Sequence, residues 1–160
     1  DTLLENGIEK IIIVTGFKSD LIQEYYKNSG FLFVKNPFYE ITNVLASVWF
    51  AIDHISEGFY FMHADTFFEP KIFTDLMNKK GDVVLSVSKK KTVKEDMKVI
   101  VKNSFIKLIN KEMDCSKAYG EFIGLAKFSS NVTEIVTSQI KKRIEDENGK
   151  DFFLKGLFKI

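Results

Sequence analysis

The chain has 160 residues, 45% apolar and 28% charged, with 23 basic against 22 acidic side chains and a formal net charge of +1. That length suits one domain with a real core, and so even a balance gives no electrostatic reason to expect a nucleic-acid or membrane-surface partner. A single cysteine, Cys115, excludes an internal disulfide and fits a reducing, cytoplasmic setting, and no stretch reaches the ~18 consecutive apolar residues of a membrane span.

In chain order, "DTLLENGIEK" reads as the end of a helix running into a strand. With no Met before it, the expectation is a piece of a longer chain. "EKIIIVTG" is a short β-branched run closed by Gly16, the pattern of a strand buried on both faces. "SDLIQEYYKNSG" carries Leu21, Ile22, Tyr25 and Tyr26 at helical spacing, with Ser19 as N-cap and Gly30 as the C-terminal stop. "FLFVKN" is another short strand, ended by Pro37. "TNVLASVWFAIDHI" is apolar at Leu45, Val48, Trp49, Ile52 and Ile55, an amphipathic helix starting at Thr42 or Asn43. "FYFMHA" is strand-like again, and "KIFTDLMNKK" is a helix with Pro70 in its first turn.

Alternating strands and helices with short connections predict an α/β sheet built from right-handed crossovers. The pattern then changes. "GDVVLSVSK", "MKVIVKN" and "SFIKLINK" are strand-like runs separated only by loops, a local antiparallel section. "EFIGLAKFS" adds a strand, "NVTEIVTSQIKKRIEDENG" a helix, and "KDFFLKGLFKI" a short segment interrupted by Gly156. No linker or repeat divides the chain, so residues 1–160 read as a single domain.

Ligands of an α/β sheet bind at the carboxyl ends of its strands, where "FYFMHADTFFEP" delivers Asp65. A carboxylate there caps a turn or the next helix, or it ligates Mg²⁺ together with ligand phosphates, since Mg²⁺ usually takes one or two protein carboxylates. Position alone leaves these open. His63, two residues earlier, reads as structural. Asn43 opens a helix, where it either caps or meets a ligand. Lys111 ends a strand-like run, and most such lysines are idle. Gly120-Glu121 brings an acid into an apolar strand, at its mouth or edge. Lys89-Lys90-Lys91 reads as a solvated loop. There is no Gly-rich phosphate loop, metal-spaced Cys/His cluster or Ser/His/Asp arrangement.

Four stretches in order nevertheless resemble the sugar-phosphate nucleotidyltransferases, a MobA-like family, especially its phosphocholine cytidylyltransferase-like branch. They are "LLENGIEKIIIVTGFKSDLIQEYY", "VKNPFYEITNVLASVWFA", "FYFMHADTFFEP" and "INKEMDCSKAYGEFIGLAKFS". The resemblance covers nearly all of the chain. It implies a Rossmann-like, three-layer α/β/α fold of the GT-A-like kind, with a mixed, mostly parallel sheet. It implies transfer of a nucleotidyl group, CMP from CTP as first choice, to a small phosphorylated alcohol or sugar with release of pyrophosphate.

Carried over residue by residue, the resemblance makes Asp65 the ligand of the cofactor Mg²⁺ and, with Lys111, catalytic. Asn43 and Ser47 fall where the family contacts nucleotide, and Lys111, Gly120 and Glu121 where it holds the acceptor phosphate compound. Val44 departs from the branch, which has a second Asn there; that leaves base and acceptor preference open. The family's N-terminal Gly-rich loop, its cations and its second metal carboxylate have no counterpart between Asp1 and Ile160. The strand that precedes them in the family lies between those reading "KIIIVT" and "FYFMHA" here. The chain by itself is therefore expected to lack the triphosphate cradle and to be inactive. A homodimer is compatible with the resemblance. Two competing readings are a GT-A-type glycosyltransferase, whose usual second acid is replaced by Thr66 and Phe67, and a catalytically inactive nucleotide- or sugar-sensing module.

Overall fold

The computed structural model describes residues 2–147. In chain order the elements are α1 (Thr2–Glu5), β1 (Ile12–Thr15), α2 (Ser19–Tyr25), β2 (Leu32–Lys35), α3 (Val44–Phe50), β3 (Phe59–Met62), α4 (Pro70–Asn78), β4 (Val83–Ser88), β5 (Lys98–Lys102), β6 (Phe105–Asn110), β7 (Gly120–Phe128) and α5 (Ser130–Glu147). Short 3₁₀ turns follow α3 at Ile52–His54 and precede β7 at Cys115–Lys117. The elements form two compact units, one of residues 2–56 with 134–147, the other of residues 57–133. The segment "KDFFLKGLFKI" lies outside the described residues.

In the first unit β1 and β2 pair in parallel, with Ile12 opposite Leu32 and Thr15 opposite Lys35. Among the described residues this sheet has two strands. α3 buries Leu45, Ala46 and Val48, and the following turn buries Ile52; positions 45, 48 and 52 recur at the helical period and form one apolar stripe. Leu45 is 1% exposed, a burial worth about 2 kcal/mol.

Two boundaries around α2 differ from expectation. Ser19 is the first helical residue rather than the N-cap, because its buried hydroxyl bonds back to Thr15 Oγ1 at 2.8 Å. The cap position falls to Lys18, at φ 51° and with no side-chain capping bond. The helix also ends at Tyr25, short of Gly30, because the backbone turns at once through the Ser29 N–H to Tyr26 carbonyl bond.

In the second unit β7 is central. It pairs antiparallel with β3, β4 and β5, and β5 pairs antiparallel with β6. The sheet system is mixed, but parallel pairing is confined to β1–β2 among the described residues, a smaller share than "mostly parallel". The cause is β7 itself: running opposite to three strands, it makes each of its pairings antiparallel. Its burial is nearly continuous from Phe122 to Phe128, as a central strand requires.

α4 starts with Pro70 at its first position, where the missing N–H costs nothing, and buries Phe73 and Leu76 one turn apart. The β5–β6 hairpin turns on Asn103 and Ser104, both at positive φ (52° and 64°), with Lys102 opposite Phe105. That is the two-residue, type I′ geometry whose twist matches the flanking strands. No helix among the described residues is long and apolar enough to cross a membrane.

Candidate functional site

The carboxyl end of β3 stops at Met62, and the chain turns there with the Thr66 N–H donating to the His63 carbonyl at 3.2 Å. Asp65 sits in that turn with an exposed carboxylate. It does not cap α4, whose N-cap residue is Glu69. The turn is held against β7 by two hydrogen bonds. The His63 N–H donates to the Gly124 carbonyl at 2.9 Å, and the Thr66 hydroxyl to the Ile123 carbonyl at 3.2 Å. Gly124 makes the close approach feasible: at φ +83°, a Cβ there would lie 2.5 Å from Thr66 Oγ1 and 3.0 Å from His63 Nδ1. The same glycine lies within the irregular stretch of β7 that faces β4 between Leu85 and Val87, a bulge beside the site.

Between this turn and β7 lies an open depression of about 360 Å³, lined among others by His63, Asp65, Thr66, Phe67, Glu121 and Gly124. Asp65 and Glu121 therefore share one surface. His63 stands edge-on to Phe61 at 5.1 Å and to Phe122 at 6.0 Å. Burial lowers its pKa, opposed by the nearby Asp65 charge. Phe67, on the rim, is fully exposed.

Glu121 is held from the other side by Lys90, which the sequence offers only as part of a solvated loop. Lys90 Nζ is 2.8 Å from Glu121 and 3.8 Å from Asp96. Its pKa is raised, first by the hydrogen bond to Glu121 and then by that group's charge. Asp96 accepts the Val93 N–H at 2.9 Å, the largest cause holding its pKa below the ordinary value, with Lys90 and Lys98 adding to it. Lys98 is 1% exposed and donates to the carbonyls of Lys94 (2.7 Å), Asp96 (3.2 Å) and Lys111 (2.7 Å). All three ammonium protons are satisfied, which is what permits its burial. Lys89-Lys90-Lys91 is exposed as expected, yet Lys90 is ion-paired and Lys89 lies 4.9 Å over the Tyr119 ring. Only strand register brings these groups together, with Ser88 and Lys98 both opposite Glu121 on β7.

Lys111 does not line the depression. Lys98 lies opposite both Glu121 and Asn110, so Lys111 is placed about two strand spacings, ~10 Å, from Glu121. Its side chain pairs with Glu95 at 3.1 Å. Gly120 has a packing reason to be glycine: a Cβ would run into the Ser88 carbonyl.

Asn43 and Ser47 belong to the first unit. Asn43 is the N-cap residue of α3, exposed, and its side chain makes no capping bond. Ser47 lies one turn on, on the same face of the helix, and accepts a hydrogen bond from Asn36 Nδ2 at 3.2 Å. Asn36, 1% exposed, was missed by sequence reasoning. Its position directly before Pro37 reads only as a strand end.

Among the described residues no group of three or more His, Cys, Asp or Glu could hold a metal ion. The donor set of a protein cage is thus not present there. A single exposed carboxylate at a strand mouth does fit Mg²⁺, which keeps several waters and is bound by one or two carboxylates plus substrate phosphates.

No family model matches the sequence, and a search of curated proteins finds no match. Solved structures do match. The inositol-1-phosphate CTP transferase from T. maritima superposes with TM-score 0.68 at 21% identity, covering 91% of this chain and 65% of that one. The CTP:phosphocholine cytidylyltransferase of Streptococcus pneumoniae gives 0.69 at 14% identity, covering 98% and 66%. The chain has the nucleotidyltransferase fold. A UDP-glucose pyrophosphorylase agrees, at TM-score 0.70 and 14% identity, covering 98% of this chain and 71% of that one. The chain spans under two thirds of the length of the first two structures.

Proposed function

We propose that the protein carrying this chain transfers a nucleotidyl group, CMP from CTP, to the phosphate of a small phosphorylated alcohol or sugar. One acceptor phosphate oxygen attacks the α-phosphorus, the bond from that phosphorus to the bridging oxygen breaks, and pyrophosphate leaves. Such a reaction asks the protein mainly for positioning and for neutralisation of phosphate charge.

Asp65 is the Mg²⁺ ligand in this reading, at the mouth of β3. Bound there, Mg²⁺ would supply the charge neutralisation that the attacked phosphate requires. Glu121, oriented by its ion pair with Lys90, accepts hydrogen bonds from the acceptor's hydroxyl or amine groups. Gly120 lets β7 enter at that point, and Lys111, beyond the depression after β6, is the cation that exchanges its pairing with Glu95 for the acceptor phosphate. Asn43 and Ser47 orient the nucleotide. The observation that carries the reading is the shared depression. Asp65 and Glu121, assigned to metal and acceptor from separate stretches of sequence, line one surface beside the end of a strand.

Thermal unfolding of the chain with CTP, UTP, dTTP, ATP and GTP, each with and without Mg²⁺, tests it. A nucleotide at ~100 times its dissociation constant stabilises by ~2.7 kcal/mol. The expected result is a Mg²⁺-dependent rise, largest with CTP. An unchanged midpoint with all five nucleotides, with and without Mg²⁺, contradicts the reading.

A further inference from the structure

The side chain of Asn36 is 1% exposed and engaged on three sides. Its Oδ1 accepts the Phe38 N–H at 2.9 Å, while Nδ2 donates to Thr42 Oγ1 and to Ser47 Oγ, both at 3.2 Å. Its own N–H donates to the Thr15 carbonyl at 2.8 Å, fixing the end of β2 to the end of β1. A main-chain N–H can only donate, so Oδ1 has to face Phe38, and the amide cannot be turned over without leaving that N–H facing two protons. Both Nδ2 protons are then committed to the two hydroxyls. Thr42 spends its own proton on the Phe38 carbonyl at 2.7 Å. Ser47 is different. Its oxygen accepts from Asn36, and its proton is directed away from that amide.

We propose that Asn36 is a positioning residue that turns the Ser47 proton away from the buried amide and toward the nucleotide, where it donates to an acceptor oxygen, a base carbonyl or a phosphate. The inference rests on the proposed contact between Ser47 and nucleotide and adds the polarity of that contact. An isosteric exchange reverses the polarity: in Asn36→Asp a carboxylate oxygen replaces the amide nitrogen, captures the Ser47 proton and turns the serine into an acceptor.

Calorimetric titration of the chain with CTP and Mg²⁺ provides the test, on wild type, Asn36→Asp, Ser47→Ala, the double variant and Thr15→Val. The last removes a different buried hydroxyl of the same unit, bonded to Ser19 at 2.8 Å, and controls for loss of stability alone. Asn36→Asp and Ser47→Ala should each weaken binding about tenfold or more, and the double variant no further than the weaker single. Thr15→Val should lower the melting temperature and leave affinity within about twofold. Should Asn36→Asp not fold, Asn36→Ser withdraws the same donor without adding charge and carries the same expectation.

Cytidine and inorganic triphosphate, titrated in parallel, separate the two acceptors. A loss seen with cytidine assigns the base carbonyl, and a loss seen with triphosphate alone assigns a phosphate oxygen. Wild-type affinity in both Asn36 variants overturns the inference while leaving the proposed function standing. So does an equal loss in Thr15→Val. A wild-type chain that binds none of these ligands overturns both.

Discussion

Lys98 and Asp65 lie within one unit at opposite extremes of exposure, and their substitutions should separate stability from function. Lys98→Met leaves three carbonyls and the Asp96 carboxylate without their buried cation. Removing one side of such an arrangement costs about 3 kcal/mol, measurable as a fall in the urea midpoint at constant m-value. Asp65→Asn removes one exposed charge, so the unfolding free energy should stay within about 0.5 kcal/mol of wild type while Mg²⁺-dependent nucleotide binding is lost. Normal Mg²⁺ dependence in that variant would remove Asp65 from the site. The sequence could nominate Asp65 because a carboxylate at the end of an apolar strand is visible locally. It could not nominate Lys90, Asp96 or Lys98, because their association exists only through the pairing of β4 and β5 with β7. Asn36 was hidden for a similar reason: its partners at 38, 42 and 47 become neighbours only when the loop folds back.

At the scale of elements, two turns carry predictions of opposite sign. The β5–β6 hairpin places Asn103 and Ser104 at positive φ, a conformation Gly adopts without penalty. Ser104→Gly should stabilise by about 0.5–1 kcal/mol. A lower melting temperature would mean the side chain makes a contact that outweighs the backbone. Gly124→Ala should destabilise by about 2 kcal/mol or more, from its φ of +83° and the lack of space beside Thr66. It should also move the Asp65 turn away from β7, weakening nucleotide binding beyond what the stability loss alone gives. Periodicity located nearly every strand and helix between residues 2 and 147. Where it failed, at Ser19 and Gly30, a residue with good local statistics had been claimed by a tertiary partner or bypassed by a tighter turn. Parallel and antiparallel pairing was legible only in part, since β7 reads as one more buried strand and nothing local says that it pairs with three others.

For the whole molecule, acid stability follows from carboxylates held below their ordinary pKa. Asp82 is lowered by hydrogen bonds from Ser129 and Asn131, Asp96 first by the Val93 N–H, and Asp114 by the Ser116 N–H. Each group's folded pKa lies below its unfolded one, so its contribution is complete above the ordinary carboxylate value of ~3.9 and is lost as pH falls through the folded values beneath it. Urea midpoints should hold from pH 7 to about pH 5 and then fall, and Asp82→Asn should make that fall shallower. An unchanged slope would show that Asp82 has the same pKa folded and unfolded. The α/β class and the nucleotidyltransferase fold were legible from the order of four stretches, although no single motif among them is diagnostic. The measurement that bears most directly on the account is a calorimetric titration of the wild-type chain and Asp65→Asn with CTP, in Mg²⁺ and again in EDTA. The account predicts binding by the wild type that EDTA abolishes and that Asp65→Asn lacks even in Mg²⁺. Equal binding by both proteins, indifferent to the metal, would contradict it.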